Sequence, residues 1–480
     1  MNLKKILISA VVIVSLLFSW AAYNTGRKDS NIAQYLKSLL PNNTKKILKK
    51  TIFAVRVNSV KVDDQFIRIK ILEKEVAALK SQVAIQRKFA TTKLPLLSKK
   101  NLNIKSENSE TGEKVALSSY QLPFPNYATQ LAKPVAYIDQ FDDYILVVTG
   151  NGRFFKIKKK EITVIKKQFM YFESIRTNIE DVIDKYDYKK FYEPGFDSVK
   201  DILVVDNKIF VSHNSKKKEN CFNTEILIAD LGDLKNLIFN NYFSYNECSS
   251  SGNNQHGGGR MVQLKDGSIG LTIGDYGFKD SAQDINSMFG KIIIIDKKNQ
   301  QKYTVQGIGS RNAQGLVYLP KQKAFIHTEH GPIGGDEINV TFLADDKIEN
   351  FGWPKSSYGD LADGTKIPNN HERFGFVEPL KYYTPAIGIS EVKHFNKEDT
   401  TKNPLILLAS MGWADEEYEG DRSLQILELD NKLSKILKIK QIPVNQRVRD
   451  MTILKNTIDN SKTVIAILEN SPSLGIISFN

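Results

Sequence analysis

Hydrophobic and polar positions fall into two textures along this chain. From about Val115 onward, short β-branched runs alternate with turn residues, as in Tyr144–Thr149, then Asn151-Gly152, then Arg153–Ile157. The same hairpin signature returns as Ile202–Val205 with Asp206-Asn207 before Lys208–Ser212, and as Arg260–Leu264 with Asp266-Gly267 before Ser268–Ile273. It continues in Leu316–Leu319 with Ala324–Thr328, and in Pro404–Ser410, Ser423–Leu429, Met451–Leu454 and Thr463–Leu468. Helical periodicity is scarce here, limited to stretches such as Glu173–Lys185. Many short strands predict an all-β fold, a β-propeller whose four-stranded blades around a channel leave few sheet edges exposed. At roughly 45–60 residues per blade the length suits six blades, although no clean repeat shows in the sequence.

The first 115 residues read differently. Met1–Lys5 carries two lysines and Ile6–Trp20 is an uncharged apolar run, the pattern of an export signal. Ser19 and Ala21 offer small residues for cleavage, while Ile6–Tyr23 is long enough to serve as a membrane anchor, so both fates stay open. Further on, Ile69, Leu72, Val76, Leu79 and Val83 follow heptad spacing. Two heptads suit either weak coiled-coil self-association or one amphipathic helix lying on a domain or an anionic membrane. Pro95 and the polar stretch Ser98–Gly112 then read as a break. The expected organisation is a signal or anchor over 1–26, a basic helical stalk or linker over 27–115, and the propeller over 116–480.

With 41% apolar and 10% aromatic residues the chain can bury a large core, which excludes a wholly disordered or collagenous protein. A net charge of +13 would ordinarily raise nucleic acid as a partner. Residues 1–110 hold 21 Lys and Arg against 7 Asp and Glu, leaving 46 and 47 for the rest. The strand-rich part is therefore neutral and no nucleic-acid partner is expected. The two cysteines, Cys221 and Cys248, bracket the expected strand pair Thr224–Ala229 and Leu237–Phe243. In an oxidising compartment a disulfide is the simplest reading, with two buried thiols as the alternative.

Candidate chemistry concentrates in five turn segments: His256–Arg260 (HGGGR), Thr272–Asp275, Gly307–Gly315 (GIGSRNAQG), Glu329–Glu337 (EHGPIGGDE) and Gln446–Asp450 (QRVRD). Loops after strands converge on one mouth of a propeller, which is where binding and catalysis gather. Each segment alone has a bland reading as a turn, a solvated arginine or a structural histidine. An imidazole with a near-neutral pKa suits proton abstraction, and a carboxylate on its second nitrogen fixes the tautomer. Arg447 and Arg449 alternate on a strand and so share a face, where two guanidinium forks suit a polycarboxylate. They equally suit a solvated strand face, with Asp450 pairing one of them. Trp353 and Pro354 in NFGWP (Asn350–Pro354) read as core and turn.

Together and in this order these segments resemble the soluble quinoprotein glucose dehydrogenases and the glucose/sorbosone dehydrogenase domain family. FGKIIIID at Phe289–Asp296 and SRNAQGL at Ser310–Leu316 add to the series, which covers about residues 118–480. The resemblance implies a six-bladed propeller holding pyrroloquinoline quinone (PQQ) with calcium, which oxidises a small-molecule sugar and passes electrons to a periplasmic acceptor. It implies His256 as base, Asp275 as its carboxylate, and Arg311 with Asn312 beside the quinone. Arg447 and Arg449 would hold the cofactor's carboxylates, and the Gly331 and Pro332 carbonyls would bind calcium. Asp336 and Glu337 would brace that loop or bind a second calcium, bracing being the favoured role.

One departure changes the expectation. In the cofactor-binding relatives a lysine follows the strand that reads Leu405–Ser410 here, and it contacts the quinone. This chain continues through Met411–Asp421 with no lysine and five acids. A lost charge-assisted hydrogen bond is worth about 1.5–3 kcal/mol, so weaker PQQ binding is expected. Two other functions compete with an exported sugar dehydrogenase. One is a non-catalytic propeller binding a glycan or protein at the cell envelope. The other is a metal-dependent hydrolase, which would need carboxylates converging on one cation.

Overall fold

The computed structural model describes residues 92–106, 109–122, 135–150, 152–163, 168–182, 199–218, 221–250, 256–343, 347–361, 363–396, 401–412, 422–455 and 461–479. The expected signal, the heptad segment and the acidic run Asp415–Asp421 lie outside these residues. The chain divides into two units, and the described residues all fall in the second, Lys88–Asn480.

Six antiparallel sheets follow one another along this unit. The first blade runs Ala136–Phe141, Tyr144–Thr149, Phe154–Lys158 and Phe169–Thr177; the second Val199–Val205, Lys208–Lys218, Cys221–Asp230 and Asn240–Phe243. The third is Gly258–Gln263, Ile269–Ile273, Lys291–Ile295 and Tyr303–Ile308, and the fourth Ala313–Leu319, Ala324–Glu329, Asp336–Phe342 and Lys381–Tyr383. The fifth is Ile389–His394, Leu405–Ser410, Leu424–Leu429 and Ile436–Ile442. The first strand of each blade packs on the first strand of the next, and the sixth returns to the first, which closes the ring of a six-bladed propeller.

The last blade is completed from the other end of the chain. Val448–Lys455, Lys462–Leu468 and Ser473–Phe479 form three strands, and Ser109–Gln121 supplies the fourth, with Val115 opposite Phe479 and Gln121 opposite Ser473. Its hairpin partner Thr92–Ser106 reaches the fifth blade at Lys105↔Gln441 and the first at Leu94↔Met170. Among the described residues, strand structure is already present at Thr92, inside the segment that the sequence suggested was stalk and break. Pro95 lies opposite Phe169 at the end of the pairing with the first blade, where the ladder N–H is supplied by the next residue, Leu96, to the Gln168 carbonyl. Glu173–Lys185 also differs from expectation: Phe169–Thr177 is strand, followed by a single turn, Ile179–Val182. Met170 and Phe172 on this strand pack in the core, so period-2 burial prevailed over the helical spacing.

The strands are apolar on both sides because each blade is sandwiched between two others. Ile406 and Leu408 pack toward the fourth blade with Ile326 and Ile338, while Leu407 and Ala409 pack toward the sixth with Val464 and Ala466. The run KIIII at Lys291–Ile295 splits the same way, Ile293 and Ile295 with Phe210 and Ile226, Ile292 with Leu316 and Phe325. Cys221 and Cys248 form a disulfide beside the Phe222↔Ser249 bridge, tying the third strand of the second blade to the segment that leads toward His256.

At the axis, carboxylates on the innermost strands reach across to the next blade. Asp450 accepts the N–H of Ile138, Asp139 that of Val204, and Asp201 that of Met261, at 2.7–2.8 Å. Arg260 fills the centre. Its Nη1 donates to Asp201 at 3.2 Å, Glu391 at 2.8 Å and Asp450 at 3.0 Å, and its Nε donates to the Gln314 carbonyl. Asp450 thus pairs neither Arg447 nor Arg449. The carboxylates that a hydrolase would need do converge, within 4.8 Å of one another, but on a guanidinium.

Candidate active site

The first strand of a blade starts, and the second ends, on the same side of the sheet. His256 precedes the first strand of the third blade and Asp275 follows its second; Arg311 and Asn312 precede the first strand of the fourth, and Glu329 ends its second. Arg447 precedes the last blade. All five turn segments therefore gather on one rim. Gly274 is required there, because a Cβ at that position would overlap the His256 carbonyl oxygen.

His256 Nδ1 lies 2.9 Å from Asp275 Oδ1. Asp275 is buried and its backbone N–H donates to the Arg311 carbonyl, so two blades fix the carboxylate. Burial pushes the His256 imidazole below its usual pKa, against its hydrogen bond to Asp275, while Arg311 and His330 push it the same way as burial. The ring is consequently neutral at neutral pH. With Nδ1–H donated to Asp275, the lone pair sits on Nε2, the arrangement a proton acceptor needs.

Arg311 is held by Nη1 bonds of 2.9 Å to the carbonyls of both His330 and Gly331, and its guanidinium lies 5.4 Å from the Trp353 ring centre. Its backbone N–H donates to Glu329, a buried carboxyl pushed up to about 8 by desolvation and by Glu337. Burial also pushes His327, in the same blade, down to about 3. Asn312 turns its amide oxygen to Gly258 N–H and to the Gln314 amide, at 3.4 and 2.8 Å. Gln314 in turn lies 3.5 Å from Arg449 Nη1, linking the His256 side of the rim to the Arg447 side.

Arg447 and Arg449 share one buried carboxylate, Glu469, at 3.0 and 2.6 Å from their Nε atoms. Burial alone would raise Glu469, but the two guanidiniums hold it below the ordinary carboxylate range. Arg447 also donates to the carbonyls of Met411 and Gly412. Gly412 has φ +67°, and a Cβ on it would lie 2.5 Å from Arg422 Cγ. Arg422 thus lies against the turn that follows Leu405–Ser410, and its charge acts on Arg447.

Asp336 braces the EHGP turn. Its Oδ1 accepts Gly331 N–H at 3.3 Å and lies 3.5 Å from His330 Nδ1, while Oδ2 accepts the N–H groups of Ile387 and Ile389. Glu337 pairs His371 at 3.3 Å. The sequence pointed to neither Glu469 nor Trp353 as part of this rim. Glu469 lies 20 residues beyond Arg449, in the turn just after the neighbouring strand Lys462–Leu468, and only strand pairing brings it back.

A PQQ-like ligand fits part of this donor set. Two guanidiniums, Arg447 and Arg449, lie together on one rim, and a third, Arg311, acts on a neutral imidazole on the same rim. The proposed calcium carbonyls fit a cation less well. Gly331 O already takes the Arg311 Nη1 donor and Pro332 O takes Gly335 N–H at 3.4 Å, so a dication on Gly331 would stand against a guanidinium.

Known proteins share these features to different depths. Aldose sugar dehydrogenase YliI of Escherichia coli is 29% identical over 163 residues, 31% of this chain and 42% of its own length. An uncharacterized protein of Synechocystis is 31% identical over 223 residues, 41% of this chain and 50% of its own. The chain thus spans about half the length of the curated relatives it matches. Among solved structures, the soluble aldose sugar dehydrogenase of E. coli in its apo form superposes with a TM-score of 0.55 at 17% identity, over 80% of this chain and 100% of that one. The PQQ-bound aldose sugar dehydrogenase of Streptomyces coelicolor gives 0.50 at 15% identity, over 80% and 99%. At these identities the likeness concerns the propeller fold alone. The glucose/sorbosone dehydrogenase family model matches residues 199–458, more than half of the chain, and the protein belongs to that family.

Proposed function

We propose that this protein is a sugar dehydrogenase of the aldose-oxidising kind that transfers a hydride from a sugar hydroxyl carbon to PQQ. The observation that carries the reading is the His256–Asp275 pair at 2.9 Å facing the same rim as Arg311, Arg447 and Arg449. When bound, PQQ would supply the two-electron oxidant, held through its carboxylates by Arg447 and Arg449. His256 Nε2 takes the proton of the substrate hydroxyl, and Asp275 keeps Nδ1 protonated and stabilises the ring as it charges. Arg311 keeps a fixed positive charge beside the reacting groups, where developing negative charge is stabilised without reorganisation. No step runs through calcium.

The reading includes export. The basic start and apolar run of residues 1–26 and the Cys221–Cys248 disulfide support a place outside the cytoplasm, with electrons leaving to an acceptor there. The heptad segment supports membrane or self-association through the N-terminal part.

Titration calorimetry of the purified protein with PQQ, with and without calcium, tests the cofactor, and the quinone absorbance change on adding aldoses tests the reaction. Absence of binding at millimolar PQQ in both conditions would sink the dehydrogenase reading in favour of a binding module.

A further inference from the structure

The Asp275 carboxylate receives more than the base. Its Oδ1 accepts His256 Nδ1–H at 2.9 Å and the Gly277 N–H at 2.8 Å, and its Oδ2 accepts the indole Nε1–H of Trp353 at 2.8 Å. Burial explains an indole in this fold, but it does not explain why its one polar atom is aimed at the carboxylate behind the imidazole.

The indole is fixed from its backbone. Trp353 N–H donates to the Gly309 carbonyl at 3.0 Å, and its own carbonyl accepts Gln283 Nε2 at 2.7 Å. Gln283 exchanges two bonds with the Asn350 side chain, at 3.0 and 2.9 Å, and Asn350 Oδ1 also accepts Gly352 N–H. Gly352 takes φ +89°, and a Cβ there would come within 2.6 Å of His371 Nδ1, so the turn that presents Trp353 depends on glycine. The segment NFGWP is therefore a clamp that delivers one N–H to a chosen place.

Each N–H given to a carboxylate stabilises its charge and weakens its pull on the remaining partners. We infer that Trp353 is a positioning residue for the proton-accepting pair: its indole N–H holds Asp275 in place and limits how strongly that carboxylate pulls on the His256 imidazole. The charged groups acting on the ring are Asp275, which favours the imidazolium, and Arg311 and His330, which oppose it. Trp353 shifts this balance through Asp275 toward the neutral imidazole that accepts a proton. The same ring faces the Arg311 guanidinium, so one side chain fixes the spacing of base and cation. The inference rests on reading His256 as the base, but its effect is present without any ligand.

The experiment is a proton NMR titration of the ring of His256 in the full chain without PQQ, with the resonance assigned by its loss in His256→Gln among the chain's six histidines. In Trp353→Phe, which keeps an aromatic ring and lacks the donor, the His256 pKa should rise by about half to one unit. Benzothienylalanine placed at 353 keeps the indole shape without the N–H, and should give the same rise if Phe unsettles the turn. An unchanged or lowered pKa in the benzothienylalanine protein overturns the inference. In PQQ-loaded enzyme the acid limb of the kcat profile should move up by the same amount with KM little changed. A rise in the titration together with no sugar oxidation by the wild type would uphold the role of Trp353 and refute the dehydrogenase reading instead.

Discussion

Two charge clusters, one on the innermost strands and one at the rim where those strands begin, are finished differently. At the hub, Arg260 meets Asp201, Glu391 and Asp450, and the four side chains are 1–4% exposed. Lys393 adds a second cation at 3.1 Å from Glu391. Every charge there is answered by another or by a backbone N–H of the next blade. At the rim, the Arg447 and Arg449 side chains are 12% exposed and both pair Glu469, and His256 is 20% exposed with Nδ1 bound to Asp275. Arg449 and Asp450 are neighbours in sequence yet belong to different clusters, because successive side chains of a strand point to opposite faces. The hub spends its polarity on itself and joins the blades. The rim's charged groups are less buried, and there the Nε2 of His256 has no hydrogen-bond partner among the described residues.

That contrast can be broken by substitution. His256→Gln should lower turnover of PQQ-loaded enzyme by about 10²–10⁴ and leave PQQ affinity and the denaturation midpoint nearly unchanged. Turnover equal to wild type would remove His256 from its role. Arg260→Met should do the reverse, lowering stability by about 3–5 kcal/mol in urea titration because three carboxylates are left buried around an apolar side chain. If the variant unfolds at the wild-type midpoint, the hub is not what joins the blades. Arg447→Ala should weaken PQQ binding by about 2–5 kcal/mol by calorimetry, with a much smaller stability loss than Arg260→Met. A binding loss below tenfold would show that the guanidinium is not against a carboxylate of the ligand.

The smallest expected effect is a pH slope. Glu329 moves from 4.5 up to about 8 in the fold, so between these values the folded state holds a proton that the unfolded state has lost, and stability falls as pH rises through that window. His327 moves from 6.5 down to about 3, so the folded state holds fewer protons in that range and stability rises with pH up to 6.5. The two slopes cancel between about 4.5 and 6.5. Above 6.5, Glu329→Gln should remove a loss of about 1.4 kcal/mol per pH unit that wild type shows as far as about pH 8. Denaturant titrations of the two proteins at pH 6.5 and 8 measure it, and parallel slopes would place the Glu329 proton elsewhere.

Gly412→Lys, which would put a lysine just after Leu405–Ser410, changes more than the charge facing a ligand. The left-handed φ and the close Arg422 side chain mean that a Lys there strains the backbone and displaces a cation already present. Its outcome would mix gain and loss.

Local chemistry made much of this protein legible. Period-2 apolar runs and Asp, Asn and Gly turns located most strands, because hairpin pairing is decided by a few adjacent residues. The ordered motifs singled out His256, Asp275, Arg311, Arg447 and Arg449, which the fold brings to one rim, because turns after strands are legible in short stretches of sequence. Cysteine count and bracketing strands were enough for Cys221 and Cys248. What tertiary structure alone decided were partnerships between distant residues. Ser109–Gln121 becomes a strand because the last blade lacks one, a fact about the far end of the chain. Arg260 becomes the hub because closing six blades brings three carboxylates from other blades to one point, where its guanidinium pairs all three. Trp353 reads as core by composition, and the direction of its N–H is set by a clamp that exists only once Gln283, Gly309 and Asn350 have met. Periodicity and residue type are properties of neighbouring positions, whereas the charge balance of a buried site depends on which strands the ring closure sets side by side.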